Sequence, residues 1–327
     1  MMRVLLNCGV LIALALGSPA ASRTTSGTWT AHLHESGYDR LQLSMRGDGD
    51  GNMGMGFERS SFTGLDGVDL ESATRVPVRF EMRREAGTLT FEGTFRAGRG
   101  TGEYSFASNP DFPKMLERLG VAFEAERGEE DRELMTLAMF DVSTTFIRSM
   151  QVVGYKVPLD KYVAFRIFKI DPGYVGEMSA LGFGKLSADD LVTTKVHNVS
   201  PEYIRKMRAS GKDLTLEQLV QSRIFEVTPE FAAEMGRIGY PDLDQETLVQ
   251  FKIHGVSAEF IQDIRRLGYA RVPADQLVAM RIHGVTPEFI RRVEKAGYHE
   301  VPIEKLVQMR IFDIDPEMVG ALDDDHD

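Results

Sequence analysis

One segment of this sequence returns at a fixed interval, and that repetition constrains the fold more than any other feature. The residues RIHGVTPEFI, from Arg281, are nearly reproduced as KIHGVSAEFI, from Lys252. Aligned on this segment, the chain has a period of 28 or 29 residues, and each copy carries a glycine in the same place. These glycines are Gly154, Gly182, Gly211, Gly239, Gly268 and Gly297. Such a period is typical of solenoids, in which each repeat packs only against its neighbours.

Each copy carries the signals of two short helices. A small oxygen-bearing residue precedes the first helix, where its side chain can accept a hydrogen bond from the free N–H groups of the first turn. Proline and glutamate follow in most copies, and both are favoured at the start of a helix. The glycine then ends the helix, because it adopts the left-handed conformation without strain. The capping positions are Ser143, Asp171, Ser200, Thr228, Ser257, Thr286 and Asp315.

The second helix of each copy has an apolar position that recurs as leucine or tyrosine. This column contains Tyr162, Leu191, Leu219, Leu248, Leu277 and Leu306. Helices of about ten residues are marginal alone, so the repeats have to stack in order to bury their apolar faces. We therefore predict an α-solenoid of two-helix repeats over residues 134–322, after a divergent first helix and a charged connection over residues 109–133.

The histidine of the repeat belongs to a column that also contains phenylalanine. The column reads Phe140, Phe168, His197, Phe225, His254, His283 and Phe312. Phenylalanine cannot replace a general base or a metal ligand, whereas it can replace histidine at a packing position. We therefore interpret these histidines as structural, and we predict no catalytic residue, no metal site and no cofactor.

A column of positive charge lies two residues before the histidine column. We call it the basic column, and it consists of Arg166, Lys195, Arg223, Lys252, Arg281 and Arg310. In one interpretation these cations pair with nearby glutamates or with carbonyl groups at helix C-termini. In the other they are partner-binding residues, which form a basic stripe that meets an acidic segment of a protein.

Residues 24–107 follow a different pattern, in which apolar and polar side chains alternate. About six such segments, separated by turns rich in glycine and aspartate, predict antiparallel strands. We expect a β-sandwich or a small, partly closed barrel. The expected inward-facing residues are Trp29, Phe80, Leu89, Phe91 and Phe95. The predicted fold class is therefore mixed, with an N-terminal β domain followed by the α-solenoid.

The N-terminal residues 1–20 have the features of a secretory signal peptide. Arg3 precedes an apolar run, and Ser18 and Ala20 occupy the positions of a cleavage site. We therefore expect an exported protein, periplasmic or extracellular, with no integral membrane segment after cleavage. Retention of this segment as an anchor is the alternative.

The chain is acidic, with 49 acidic and 38 basic residues and a formal net charge of −11. Such a surface repels the phosphate backbone, so we expect no nucleic-acid partner. The C-terminal residues 323–327, DDDHD, form an acidic tail.

The repeat unit LVxxRIHGVTPEFIRxxxxxGY resembles the tandem repeats appended to bacterial Bla-regulator metallopeptidase antirepressors of the penicillin-sensor type. The resemblance covers residues 109–322, about two thirds of the chain. The sequence contains neither the zinc motif nor the membrane helices of that family, so the resemblance implies a sensing or adaptor module and no catalytic residue.

Taken together, these features predict a non-enzymatic, exported interaction or sensing scaffold that uses the surface of its solenoid. The alternative is a carrier that holds a small apolar ligand in its β domain. An enzyme is the least favoured class, because the sequence offers no nucleophile with an oriented base.

Overall fold

A computed structural model of the chain describes residues 26–33, 40–47, 52–209 and 211–315. The predicted signal peptide, the end of the last predicted repeat and the acidic tail lie outside the described residues. The chain divides into two compact units between Pro172 and Gly173.

The first unit contains one antiparallel sheet of six strands, curled into a half-barrel. The strands are Ser26–Leu33 (β1), Arg40–Gly47 (β2), Asn52–Glu58 (β3), Val76–Arg84 (β4), Gly87–Arg96 (β5) and Arg99–Ser108 (β6). Their order across the sheet is β3-β2-β1-β6-β5-β4. The fold-class prediction is confirmed, and the single curled sheet is the form that the β domain takes.

The inner face of the sheet is filled by aromatic side chains of the chain itself. All five residues predicted to face inward are at most 1% exposed. The Trp29 ring lies 5.3 Å from the Phe80 ring and 6.3 Å from the Phe91 ring, centroid to centroid. Phe62, from the segment between β3 and β4, packs edge-on against both phenylalanines. These rings form the packed interior of the β domain.

Helices follow the sheet, and within the described residues first and second helices alternate. The first helices are Phe112–Glu117 (α1), Thr144–Val152 (α3), Pro172–Met178 (α5), Pro201–Arg208 (α7), Pro229–Arg237 (α9), Ala258–Arg266 (α11) and Pro287–Lys295 (α13). The second helices are Glu130–Met139 (α2), Leu159–Ile167 (α4), Ala188–Val196 (α6), Leu216–Ile224 (α8), Gln245–His254 (α10), Ala274–Ile282 (α12) and Ile303–Ile311 (α14).

The helix signals in the sequence correspond to contacts in the structure. Five predicted caps accept a hydrogen bond from the backbone N–H three residues later, at 3.1–3.2 Å: Ser143, Ser200, Thr228, Ser257 and Thr286. The six glycines of the repeat all adopt a positive φ of 81–97°. The residues of the leucine and tyrosine column are at most 1% exposed, so this column forms the core.

Packing within each unit follows from these buried columns. In the second unit, each second helix from α8 to α14 packs against the second helix of the next repeat, and α11 packs against α13. One continuous hydrophobic core extends there from Val227 to Leu306. In the first unit, α2 packs against strands β5 and β6.

Candidate interaction surface

Each residue of the basic column lies in the last turn of a second helix and covers an aromatic ring. The ring belongs to the first helix of the same repeat, and the cation lies 3.7–5.2 Å from its centroid. The six rings are those of Phe146, Tyr174, Tyr203, Phe231, Phe260 and Phe289. A cation over a ring face is attracted by the ring quadrupole, which holds the charged group in place.

Three arginines of the basic column also cap the preceding second helix. The Nε atom of Arg281 donates to the carbonyl of His254 at 3.0 Å, and Arg310 donates to the carbonyl of His283 at 3.4 Å. Arg166 donates to the carbonyl of Phe140 at 2.9 Å. The carbonyl end of a helix carries a partial negative charge, so a cation is stabilising there. The interpretation that placed the cations at helix C-terminal carbonyls therefore describes these three residues.

Glycine leaves room for two of these arginines. Gly255 and Gly284 follow the capped histidines, with φ of 68° and 70°. A Cβ atom on Gly255 would lie 2.9 Å from Nη2 of Arg281, and one on Gly284 would lie 3.3 Å from Nη2 of Arg310. Both close approaches place a guanidinium group directly against the backbone of the preceding repeat.

The position of the histidine column explains why phenylalanine can replace histidine in it. These residues lie at the C-terminal ends of second helices. What Phe140, His254 and His283 supply to the next repeat is a backbone carbonyl, and any residue has one. The ring of His254 contacts Gln250 of its own helix, with 3.1 Å between Nε2 and Oε1.

A second set of contacts links the first helices in the second unit. Arg208 covers the ring of Phe183, and Arg265 covers the ring of Tyr240 and donates to the carbonyl of Ile238. The hydroxyl groups of Tyr240 and Tyr269 donate to the carbonyls of Val272 and Val301, each at 2.7 Å. Sequence reasoning missed the two arginines, because their position carries glutamine, serine, glycine or glutamate in the other copies.

An open cavity of about 670 Å³ lies near these contacts. Its lining includes Arg237, Arg265 and Arg271, so it could accept an anionic group. Within the described part of the chain, no group of three or more histidine, aspartate, glutamate or cysteine side chains is arranged to hold a metal ion.

The residue after each basic residue is aliphatic and exposed to solvent. We call this set the aliphatic column, and its members are 37–53% exposed: Ile167, Val196, Ile224, Ile253, Ile282 and Ile311. Successive residues of a helix point about 100° apart. Because the basic side chain packs back over its ring, the next side chain faces outward.

The sequence contained a signal for the aliphatic column, but its meaning was not visible there. Isoleucine or valine stands between the basic residue and the histidine or phenylalanine in all six copies. An apolar residue in a helical pattern is normally assigned to the core. The structure shows instead that the core ends earlier in the last turn of each second helix.

Burial raises the pKa of the tyrosine hydroxyl groups beneath two of the cations, Tyr174 and Tyr203. At the starts of the first helices α9 and α13, the pKa of a carboxyl group shifts in the opposite direction. Backbone N–H groups lower the pKa of the exposed carboxyl groups of Glu230 and Glu288. Both carboxyl groups are therefore charged at neutral pH, on the favourable side of the helix dipole.

No protein-family model matches the sequence, and neither the curated proteins nor the solved structures contain a match for it. The resemblance of the repeat unit to the Bla-regulator repeats therefore stays a prediction. None of the helices within the described residues is both long and apolar enough to cross a membrane.

Proposed function

We propose that this protein is a non-enzymatic interaction scaffold, and that the members of the aliphatic column and of the adjacent basic column in the second unit form the partner-binding surface. The observation that carries the proposal is the exposure of Val196, Ile224, Ile253, Ile282 and Ile311 in five consecutive repeats of the second unit. Scattered exposed apolar residues are normal, whereas a regular row of them is typical of an interaction site.

The members of the aliphatic column lie outside the fully buried core. Five residues before each member, a leucine or, in one repeat, Tyr162 of the same helix is buried completely or almost completely, as in Leu248 and Leu277. A β-branched residue is also a weaker helix former than leucine or lysine. The exposed isoleucines therefore carry a cost in helix stability that a partner surface would explain.

The basic column supports the same proposal through the way its cations are held. Arg223 and Arg281 remain exposed although they lie over the rings of Tyr203 and Phe260. A side chain that is already ordered loses less conformational entropy when it binds. The basic column thus offers pre-oriented positive charge beside the apolar side chains, which suits a protein partner with an acidic segment.

The proposed scaffold works outside the cytoplasm, in the periplasm or the extracellular space. This part of the proposal depends on residues 1–20, whose composition is that of a secretory signal peptide. A sensing or adaptor role is consistent with the resemblance of the repeat unit to the Bla-regulator repeats.

The proposal is tested by capture from the native cells with three tagged proteins: wild type, the double variant Ile253→Thr/Ile282→Thr, and Val152→Thr. Threonine keeps the branched shape and removes apolar surface. Val152 is 85% exposed and lies outside the aliphatic column, so it is the matched control. A discrete protein that is retained by wild type and Val152→Thr, and lost from the double variant, would support the proposal. Equal capture by all three proteins would contradict it.

A further inference from the structure

The aliphatic column has a regular pitch, and that pitch constrains the shape of a partner. The second helices α8, α10, α12 and α14 pack side by side in the second unit. Packed helices lie about 8–10 Å apart, so equivalent residues of adjacent repeats are separated by about the same distance. The bond from Arg281 to the His254 carbonyl holds the ends of α12 and α10 together. Ile224, Ile253, Ile282 and Ile311 therefore form a row with roughly one side chain every 10 Å.

An extended peptide has a matching period. A polyproline II segment advances about 3.1 Å per residue with three residues per turn, so every third side chain lies on one face, about 9.3 Å from the last. A helical partner matches this pitch only at every seventh residue, about 10.5 Å along its axis, so it would need about 22 residues to reach four repeats, whereas about ten extended residues reach them. One extended segment can therefore place an apolar side chain against each repeat in turn.

The positive charge of the basic column favours an acidic segment among the extended segments that would fit. Each aliphatic residue follows a cation, and the row Arg223, Lys252, Arg281 and Arg310 runs beside the four isoleucines. This concentration of positive charge is local, because the whole chain carries a formal net charge of −11. Acidic side chains flanking the apolar residues of a partner would lie against the basic column.

Within the proposed function, on which this inference rests, we infer that the partner is an extended acidic protein segment with an apolar residue at every third position. One such residue packs on each exposed isoleucine from Ile224 to Ile311, and the intervening carboxylates face the basic column. A segment of about ten residues is long enough to reach all four isoleucines.

The uniformity of the exposed position supports this assignment. This position is isoleucine in all four repeats, whereas the position two residues later holds a carboxylate in Glu226 and Asp313 and no side chain in Gly255 and Gly284. A uniform aliphatic side chain at an exposed position is what a partner with one apolar residue per repeat requires.

The test uses the full chain and three synthetic peptides in a fluorescence anisotropy titration at physiological salt. The first peptide has four Leu-Pro-Glu triplets, the second has the same composition with its leucines grouped together, and the third has lysine in place of glutamate. We expect the first peptide to bind at least about tenfold more tightly than either of the others. We also expect Ile253→Thr/Ile282→Thr to weaken its binding about tenfold or more, whereas Val152→Thr leaves it unchanged.

Each contrary outcome overturns the inference in a different way. If the peptide with grouped leucines binds as tightly as the first peptide, the spacing of apolar residues does not determine binding. If the lysine peptide binds as tightly as the first, acidic side chains do not determine it. Binding of phosphatidylglycerol vesicles that depends on Ile253 and Ile282 would assign the surface to a membrane. Self-association that is lost in the double variant would assign it to a second copy of the chain. If the double variant still loses a captured cellular protein while the first peptide shows no preference, the proposed function stands and only this inference fails.

Discussion

At the scale of single residues, the ends of the second helices carry a local backbone strain. Just after each of these helices, a single residue adopts a left-handed conformation with φ of 51–70°. These residues are Asp141, Lys169, Asn198, Glu226, Gly255, Gly284 and Asp313. Residues other than glycine pay a cost of about 1–2 kcal/mol in this conformation, because Cβ crowds the following carbonyl. Asparagine and aspartate tolerate it better than lysine or glutamate.

Glu226→Gly is therefore expected to stabilise the protein by about 0.5–1 kcal/mol, since relief of strain exceeds the entropy that glycine adds to the unfolded chain. Asn198→Gly should give a smaller gain, and Gly284→Ala should cost about 1 kcal/mol. The free energy of unfolding from urea titration measures all three changes. A loss of stability in Glu226→Gly would show that this side chain makes a contact worth more than the strain.

Asp244 caps α10 by accepting a hydrogen bond from the Thr247 N–H at 2.8 Å. Asp244→Ala is expected to lower the free energy of unfolding by about 1 kcal/mol, whereas Asp244→Asn should retain most of the cap.

The cap at Asp244 also makes the stability of the protein depend on pH. Hydrogen bonds from Thr247 lower the pKa of the Asp244 carboxyl group. Its stabilisation is therefore complete above the ordinary pKa near 4 and is lost as the pH falls through the lowered value.

Urea titrations between about pH 6 and pH 3 test this dependence, with Asp244→Asn as the control. We expect the asparagine variant to lose less stability than wild type over this range, because its side chain does not titrate. Identical pH profiles would mean that Asp244 does not contribute to the acid sensitivity of the protein.

The residue patterns that were predictable are those set by local chemistry. The caps, the glycine at the end of each first helix and the buried leucines follow from hydrogen-bonding capacity, backbone freedom and periodicity. The left-handed residue after each second helix was not foreseen. Within the described repeats only Gly255 and Gly284 mark it with glycine, and elsewhere tertiary packing imposes the conformation on other residues.

At the scale of elements, the repeats are joined by side chains that reach from one helix to the next. Arg281 links three helices, because it covers the Phe260 ring of α11 from its place in α12 and donates to the last turn of α10. Tyr269 links consecutive repeats through the Val301 carbonyl. These contacts supply the neighbour coupling on which a linear array of short helices depends.

Arg281→Ala is expected to cost about 1–2 kcal/mol, as the sum of a partly exposed cation–π contact and a charge-assisted hydrogen bond. Arg281→Lys should fall between wild type and alanine, because lysine keeps the charge without the planar guanidinium group. Arg291→Ala is the control, since Arg291 makes one exposed ion pair with Glu288, and its cost should stay below about 0.5 kcal/mol. Equal effects of Arg281→Ala and Arg291→Ala in urea titrations would contradict the assigned bridge.

Tyr269→Phe tests the other link between repeats. It removes the hydroxyl that donates to the Val301 carbonyl at 2.7 Å, and the expected cost is about 1 kcal/mol. Tyr240→Phe removes the equivalent hydrogen bond, to the Val272 carbonyl at 2.7 Å, and should cost about the same. An unchanged free energy of unfolding in Tyr269→Phe would show that water replaces the hydroxyl without loss.

The elements themselves were largely predictable, whereas their arrangement in the sheet was not. Alternation identified the strands, but the pairing of Trp29 in β1 with Gly102 in β6 joins residues far apart in sequence. Strand order depends on such long-range pairing, which periodicity does not encode. The helical repeats were easier, because each helix packs against its neighbours in the sequence.

At the scale of the whole molecule, an acidic protein presents, in its second unit, one row of positive charge beside one row of exposed aliphatic side chains. The basic column was recognised in the sequence, and the structure shows that its cations are also used to join helices. Reversing these charges would weaken the fold together with any partner contact. The aliphatic column separates the two effects, because its side chains are exposed.

The double variant Ile253→Thr/Ile282→Thr is accordingly expected to change the free energy of unfolding by less than about 1 kcal/mol, since each substitution at an exposed position usually changes it by no more than about 0.5 kcal/mol. Circular dichroism and urea titration measure this. A loss of 2 kcal/mol or more, on the order of a core truncation, would mean that these isoleucines are part of the core and not of a surface.

The most direct test of the central claim is site-specific photo-crosslinking in the native cells, with a photoreactive residue at position 253 or 282. A photoreactive residue at position 262, which is exposed on the first helix of a repeat, serves as the control. If the aliphatic column is the working surface, positions 253 and 282 should crosslink to the same discrete protein, and position 262 should not. Crosslinks to that protein from position 262 alone, or no discrete product from positions 253 and 282, would contradict the account.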